Sequence, residues 1–140
     1  MIGWDTYFIN IAHAVKLRSK DPKLKVGSVL VSLKDNRIIS TGYNSMVAGI
    51  DDSLIDWSDR TKVKELVIHA EMNAVLYAQS KFEDSVLYCS HSPCGSCLKL
   101  ISATKIKKIV YDNVYKDICK TEELCKFFNI EIYQLNQESY

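Results

Sequence analysis

Two short segments of this 140-residue chain carry the side chains of a metal-assisted reaction. Residues 69–71 read His-Ala-Glu and residues 93–97 read Pro-Cys-Gly-Ser-Cys. One imidazole and two thiolates suit Zn²⁺ and leave its fourth position open, which is typical of a catalytic zinc ion. A carboxylate beside such an ion can take a proton from attacking water. We therefore predict that His69, Cys94 and Cys97 bind one catalytic Zn²⁺ per chain and that Glu71 is the catalytic acid–base.

The order of the two segments favours one class of zinc-dependent reaction. H-x-E followed by P-C-x-x-C is the signature of zinc-dependent nucleobase deaminases, in which the glutamate is not a zinc ligand. A C-x-x-C pair alone would be a weak signal, because redox motifs and structural zinc sites also contain it. A structural zinc site completed by Cys89 or another thiol is an alternative interpretation, but it would leave Glu71 and the open fourth position unexplained.

Helix geometry decides how these side chains can meet. Cys94 and Cys97 are three residues apart, so both can reach one metal from the first turn of a helix. His69 and Glu71 are two residues apart and would point about 200° apart in the middle of a helix. They can serve one site only at a helix N-terminus. The sequence thus predicts two helix N-termini that face one metal, where their partial positive charge supports thiolate formation.

The elements that must position these residues alternate between helix and strand. Apolar spacing predicts helices and strands, and residues 44–66 read as a long irregular loop. The pattern indicates one α/β domain over residues 1–140, with a central sheet covered by helices on both faces. The predicted helices are 4–19, 69–80, 95–103 and 121–128, and the predicted strands are 26–33, 37–43, 85–90, 107–111 and 130–133.

Composition excludes several classes of partner. A formal net charge of +1 gives no electrostatic reason to bind a polyanion, so we expect no stable nucleic-acid partner. No run of about 18 apolar residues exists, so we expect no membrane span. Five cysteines without an export signal indicate a reducing compartment. We expect the cytoplasm, or the host cytoplasm if a virus encodes the chain.

The chain resembles the deoxycytidylate (dCMP) deaminases of the cytidine deaminase superfamily. The resemblance extends from about residue 4 to residue 117 and rests on more than the cysteine and histidine segments. Five segments occur in the same order as in the family, namely RSKDP (18–22), VGSVLV (26–31), RII (37–39), GYN (42–44) and HAEMNA (69–74). Three positions depart from the family pattern, namely Ser45, Val47 and His91, and none of them is a predicted zinc ligand or Glu71.

The resemblance implies a cytidine-deaminase-like three-layer α/β/α sandwich with a central five-stranded mixed sheet. It also implies conversion of dCMP to dUMP, a homo-oligomer (a hexamer in many members), and regulation by dCTP and dTTP. A regulatory triphosphate would bring Mg²⁺ with it. The resemblance further implies that Asn44 forms a hydrogen bond with the sugar. It also places Tyr115 at the nucleotide pocket, because the family has a tyrosine near this position there.

Position along the chain suggests further substrate contacts. The backbone N–H of Ala70, free at a helix N-terminus, is a natural donor to the 2-keto oxygen of cytosine. Val26 and the ring of His91 would flank the pyrimidine. Arg18 and Lys25 are candidate phosphate partners, although each could equally be an ordinary solvated charge. His13 reads as a packed or surface histidine rather than a ligand.

Three other functions stay open at this point. A tRNA adenosine deaminase would share the zinc motif but is expected to have a more basic surface. A free-nucleoside cytidine deaminase would lack the opening helix that leads into Arg18-Ser19. A catalytically silent zinc or nucleotide-binding module would have no need of Glu71.

Overall fold

The computed structural model describes residues 1–78 and 83–135. Five strands form one sheet in the spatial order β2-β1-β3-β4-β5. The strands are β1 (Gly27–Ser32), β2 (Ile38–Tyr43), β3 (Ser85–His91), β4 (Ile106–Asn113) and β5 (Glu131–Gln134). The helices are α1 (Trp4–Lys16), α2 (Arg60–Leu66), α3 (Ala70–Leu76), α4 (Gly95–Ile101) and α5 (Ile118–Phe127).

The sheet is mixed because its two halves are connected differently. The short turn after β1 makes β2 antiparallel to it, and β1 is also antiparallel to β3. The connections through α4 and α5 make β3, β4 and β5 parallel neighbours, as expected where a helix crosses over between strands. The predicted five-stranded mixed sheet is therefore confirmed.

Helices cover both faces of the sheet, so alternate residues of the inner strands enter two separate cores. On one face, α1 packs against the sheet through Phe8, Ile9, Ala12, Val29, Val31, Val86, Tyr88 and Val110. On the other face, α3, α4 and α5 pack through residues that include Leu30, Ala74, Leu87, Leu98, Ile101, Ile109 and Cys125. Each core excludes water from one side of the strands, which confirms the three-layer arrangement.

The prediction of an irregular stretch over residues 44–66 was wrong in its second half. A single turn of 3₁₀ helix spans Asp52–Leu54, and α2 follows at Arg60–Leu66. Asp59 caps α2 by accepting a hydrogen bond from the Lys62 backbone N–H, and Val63 is buried beneath the helix. Two turns are too short to show a clear helical period, so the sequence signals this element weakly, chiefly through the capping residue.

The other differences lie at element ends. The first helix ends at Lys16 rather than residue 19. The last helix begins at Ile118, because Asp117 caps it by accepting from the Lys120 N–H. The helix predicted over 69–80 ends at Leu76, and residues 79 and 80 of that prediction lie outside the described residues. Within the described part of the chain, no helix has the length and apolar character needed to cross a bilayer.

One glycine lets α3 approach the sheet closely. Gly42 on β2 packs directly against the backbone of α3, where a Cβ atom would overlap the Ala70 carbonyl oxygen and the Ala74 nitrogen. Neither obstacle is a flexible side chain, so α3 would have to move away. Since α3 begins directly after His69, this contact sets the position of the segment that carries His69 and Glu71.

We expect Gly42→Ala to lower the free energy of unfolding by about 1–3 kcal/mol, because the added methyl group overpacks against backbone. Thermal unfolding followed by circular dichroism measures the change. Thr41→Val is the matched control, since Thr41 is the exposed neighbour on the same strand. Equal melting temperatures for the two variants would contradict the close packing of α3 on β2.

Candidate active site

The candidate site lies where two helices begin at one edge of the sheet. His69 and Cys94 each occupy the position directly before a helix, in extended backbone, and lead into α3 and α4. The start of β1 reaches the same edge, because β1 is antiparallel to β3 and pairs Ser28 with Cys89. The convergence of two helix N-termini is the arrangement that the residue spacing predicted.

The three predicted zinc ligands come together as one cluster. The Nδ1 atom of His69 lies 3.2 Å from Cys97 Sγ and 3.5 Å from Cys94 Sγ, and the three donor atoms all lie within 4.8 Å of one another. One imidazole nitrogen and two sulfurs are the donor chemistry that Zn²⁺ prefers. The residues therefore fit a zinc ion.

Two other candidates for a metal role lie apart from this cluster. Cys89 is buried, with its Sγ atom 3.7 Å from Ser28 Oγ, and does not belong to the cluster within the described part of the chain. His13 pairs with Asp112, at 2.7 Å between Nε2 and Oδ2. Neither residue supplies a fourth ligand, which argues against the alternative of a closed structural zinc site.

The two thiols of the cluster share a hydrogen bond that separates their pKa values. The bond from Cys97 lowers the pKa of Cys94 to about 3, and His69 and Ser96 contribute to this. The same bond, together with burial and the charge of Glu71, raises the pKa of Cys97. A divalent cation at this position would displace the retained proton, since metal binding to thiols releases protons.

Glu71 is a buried carboxyl group beside the cluster. Its side chain is in the first turn of α3, the residue is 3% exposed, and its Oε2 atom accepts from Cys97 Sγ at 3.7 Å. Burial raises the pKa of Glu71 above its ordinary value. A carboxyl group whose protonated form is stabilised in this way is suited to carry a proton between a water molecule and a substrate.

A cavity of about 90 Å³ opens onto the cluster and Glu71. All five residues that the sequence suggested as substrate contacts line it, namely Val26, Asn44, Ala70, His91 and Tyr115. Ala70 is the first residue of α3, so its N–H has no acceptor within the helix. The residues predicted to surround a substrate thus share one cavity, while their individual contacts with a substrate stay predictions.

Asn44 has a structural role in addition to its place in the cavity. Its Oδ1 atom accepts from the Val26 N–H at 2.9 Å, and its Nδ2 donates to the Leu24 carbonyl oxygen at 2.9 Å. The side chain therefore fastens the segment before β1 to the end of β2. One N–H of the amide remains for a ligand.

Hydrogen bonds also hold His91 and Tyr115 in place. Ser90 Oγ lies 3.0 Å from His91 Nδ1 and accepts from the Gly27 N–H. Burial, with nearby positive charge, lowers the pKa of His91 and favours a neutral ring. The Tyr115 N–H donates to the buried Ser92 hydroxyl at 2.8 Å.

The candidate phosphate partners lie elsewhere. Arg18 lines a second cavity on the other side of the 43–47 segment. Lys25 donates from Nζ to the Ser19 carbonyl oxygen. Neither side chain lines the cavity beside the cluster, so sequence position was a poor guide to which cations reach it.

Sequence reasoning missed several residues of this cavity because it treated 44–66 as a loop. Four residues of α2 and its C-terminal flank line one wall at helical spacing: Arg60, Val63, Lys64 and Val67. The Asp59 cap and the four-residue interval between Val63 and Val67 were the available signals. Ser92 and Asp21 also line the cavity and gave no distinctive signal.

Comparison with known proteins agrees with this geometry. Residues 2–113 match the model of the cytidine and deoxycytidylate deaminase zinc-binding region, which is well over half of the chain. The chain belongs to this family. It is 39% identical over 108 residues to a probable deoxycytidylate deaminase of Caenorhabditis elegans, with 74% of the chain and 54% of that protein covered. It is 36% identical over 121 residues to the deoxycytidylate deaminase of Mycobacterium phage D29, with coverage of 77% and 93%.

A solved member of the family has the same architecture. The dCMP deaminase of cyanophage S-TIM5 superposes with a TM-score of 0.75 at 27% identity, over 94% of this chain and 96% of that one. That phage enzyme has also been solved in complex with dCMP and dUMP. The chain spans about half the length of the C. elegans relative but nearly all of the phage D29 relative.

We expect the purified Cys97→Ala variant to contain almost no zinc. The substitution removes one of the three predicted ligands, and the remaining two bind the metal too weakly to retain it. Zinc per chain, measured by mass spectrometry after dialysis, should fall from about one to near zero. Cys119→Ala is the matched control, since Cys119 is exposed on α5 and distant in sequence from the cluster. Equal zinc contents in the two variants would contradict the ligand assignment.

Proposed function

We propose that the protein catalyses the zinc-dependent hydrolytic deamination of dCMP to dUMP and ammonia. The observation that carries the proposal is the cluster of His69, Cys94 and Cys97 with the buried Glu71 beside it, at one end of a cavity. Family membership supports the reaction type. The names of the relatives, and the dCMP and dUMP bound to the cyanophage enzyme, support the choice of nucleotide.

In the proposed reaction the protein's own residues hold the base and move the protons. Bound Zn²⁺ supplies a Lewis acid that makes water a better nucleophile at neutral pH. Glu71 takes the proton of the attacking water, delivers it to the ring nitrogen of cytosine and then assists the departure of ammonia. The Ala70 N–H donates to the 2-keto oxygen, while Val26 and the neutral ring of His91 flank the base. Asn44 forms a hydrogen bond with the sugar.

Burial makes this proton transfer efficient. The Glu71 carboxyl lies in an environment that raises its pKa, so its protonated form is accessible after it has accepted the water proton. The low exposure of Glu71 also keeps bulk water from competing for that proton. Replacement of the carboxyl by an amide would preserve the shape of the site and remove the proton carrier.

The net charge of +1 favours a small substrate over the alternatives. A tRNA-editing deaminase would need cations along an extended surface to neutralise phosphates. A silent zinc or nucleotide-binding module would not require the buried carboxyl of Glu71. Both alternatives are outcomes of the substrate comparison that follows.

We expect the wild-type protein to release ammonia from dCMP. We expect Glu71→Gln to lose about 10²–10⁴-fold in kcat, because general acid–base catalysis contributes that much. Both proteins should retain about one zinc per chain. Ammonia release measures turnover of dCMP, deoxycytidine, cytidine and a tRNA in parallel. Glu65→Gln is the control, since Glu65 is an exposed carboxylate on α2.

Each outcome of this comparison has a distinct meaning. Activity of Glu71→Gln equal to that of Glu65→Gln would contradict the mechanism. Zinc-loaded wild-type protein that acts on tRNA alone would replace the proposed substrate, and zinc-loaded protein that acts on none of the four would favour the silent module.

We further propose that dCTP activates and dTTP inhibits the reaction, with Mg²⁺ on the regulatory triphosphate. A second cavity of about 310 Å³ supports this proposal. Arg18 and Lys20 offer cations to phosphates, and Trp57 and Tyr77 offer faces on which a base could stack. Asn73 on α3 lines this cavity and donates to Ser45 Oγ and the Tyr43 carbonyl oxygen, which connects it to the helix that carries Glu71.

We expect dCTP with Mg²⁺ to lower the dCMP concentration at half-maximal rate, and dTTP to raise it, within the 5- to 150-fold range of typical allosteric coupling. Lys20→Met should weaken this response, because Lys20 lines the second cavity. Lys23→Met, an exposed neighbour, is the charge-matched control. If neither triphosphate changes the rate of the wild type or of either variant, regulation is excluded.

We also propose a homo-oligomer, a hexamer as in the resembled family. Large apolar side chains around α3 support assembly, since Leu76 is 62% exposed and Tyr77 is 55% exposed. Large apolar side chains that are exposed in this way can form part of protein–protein contacts. Light scattering coupled to size-exclusion chromatography gives the number of chains, and a monomer at micromolar concentration would contradict the proposal.

A further inference from the structure

We propose that Lys64 and Arg60, on α2, form the binding site for the 5′-phosphate of the substrate and so make the enzyme select a nucleotide over a nucleoside. This inference rests on the proposed function and assigns the specificity of the same cavity. The sequence offered Arg18 and Lys25 for this role, and neither of them lines the cavity.

Few charged side chains line the cavity. Among the described residues that line it, the lysine and arginine side chains are Arg60 and Lys64, and the carboxyl groups are Asp21 and Glu71. Glu71 is buried beside the zinc ligands. Among the residues that line the cavity, the cations that a phosphate could meet are therefore those of the α2 wall. Lys116 lies beside the cavity, with its Nζ atom 5.3 Å from the centre of the Tyr115 ring.

Helical spacing places the two cations of the cavity side by side. Arg60 and Lys64 are four residues apart on α2 and therefore lie on the same face of the helix. Val63 and Val67 line the cavity from the same face. The wall thus combines an apolar strip with two cationic side chains, a combination that suits a sugar with a phosphate attached.

Hydrogen bonds hold the Arg60 side chain in place. Its guanidinium forms a bidentate pair with Asp21, at 3.0 and 2.8 Å, and donates to the Trp57 carbonyl oxygen at 2.9 Å. Asp21 is 2% exposed and also accepts from the Lys23 and Leu24 N–H groups. Burial by itself raises the pKa of Asp21. The hydrogen bonds from Arg60 and from these N–H groups outweigh burial, so the pKa lies below its ordinary value and the carboxylate stays charged.

The ion pair with Asp21 leaves some N–H donors of the Arg60 guanidinium available for a ligand. A guanidinium has five N–H donors, and within the described residues three of those of Arg60 are bonded. Because Asp21 balances the charge of Arg60, the net positive charge of the wall comes from Lys64. No carboxylate lies within ion-pair distance of Lys64 among residues 1–78 and 83–135, whereas its neighbour Lys62 approaches Glu65 at 3.4 Å. A phosphate dianion would therefore bind Lys64 as a point charge and the fixed Arg60 as a directional donor.

The test compares Lys64→Met with Lys62→Met, two substitutions of equal chemistry on one helix. We expect Lys64→Met to raise the KM for dCMP about 10- to 100-fold with kcat changed by less than about threefold, because a charge-assisted bond made equally in the ground and transition states affects binding alone. Its activity on deoxycytidine should stay at the wild-type level, since that substrate has no phosphate. Lys64→Arg should recover most of the affinity, and Lys62→Met should match wild type throughout.

Calorimetric binding of dUMP to the zinc-loaded proteins separates this inference from the proposed function. If wild type deaminates dCMP but Lys64→Met and Lys62→Met have equal KM for dCMP and equal affinity for dUMP, the phosphate site is wrong and the function stands. If wild type does not act on dCMP but dUMP binding still requires Lys64, the function is wrong and the phosphate site stands. An equal change of KM for dCMP and deoxycytidine in Lys64→Met would also overturn the inference, because it would show a structural effect.

Discussion

The convergence of two helix N-termini on two sulfur atoms and one imidazole nitrogen is the constraint on which the rest of this structure depends. His69 precedes α3 and Cys94 precedes α4, and their donors lie within a few ångströms of Cys97 Sγ. Any displacement of one helix relative to the other would separate the donors. The close approach of α3 to Gly42 and the shared core beneath α3 and α4 maintain that relation.

The same convergence explains why a carboxyl group is buried without a salt bridge to any residue that the structure describes. Glu71 follows His69 by two residues, so the turn that presents the imidazole to the cluster also turns the carboxyl into the interior. Burial of a carboxyl group is costly, and the raised pKa of Glu71 is the measure of that cost. A carboxyl group whose pKa is raised holds an accepted proton more firmly than an exposed one, which is what the proposed chemistry requires.

The segment between β2 and α3 joins the two cavities. Lys20 contacts Asp52 at 2.7 Å beside the larger cavity, and the adjacent Asp21 holds Arg60 beside the smaller one. Two consecutive residues thus fasten the 52–60 segment at both sites. A ligand that displaced either ion pair would act on both cavities, which gives the proposed regulation a physical route.

The sequence by itself determined the chemistry and the class of fold. The order of His69, Glu71, Cys94 and Cys97 fixes which donors can meet, because two- and three-residue intervals have only a few geometric solutions at a helix start. Long apolar periods predicted most helices and strands to within a few residues. The short α2 was missed, since two turns carry almost no periodic signal.

Only the tertiary structure decided which other side chains share the cavity. Arg18 and Lys25 lie close in sequence to segments of the site, yet Arg18 lines the other cavity and Lys25 is bonded to a carbonyl oxygen. Arg60 and Lys64 gave no signal and line the cavity wall. Local spacing is set by backbone geometry and can be read from the chain, whereas the contacts of a long cationic side chain depend on how distant elements pack.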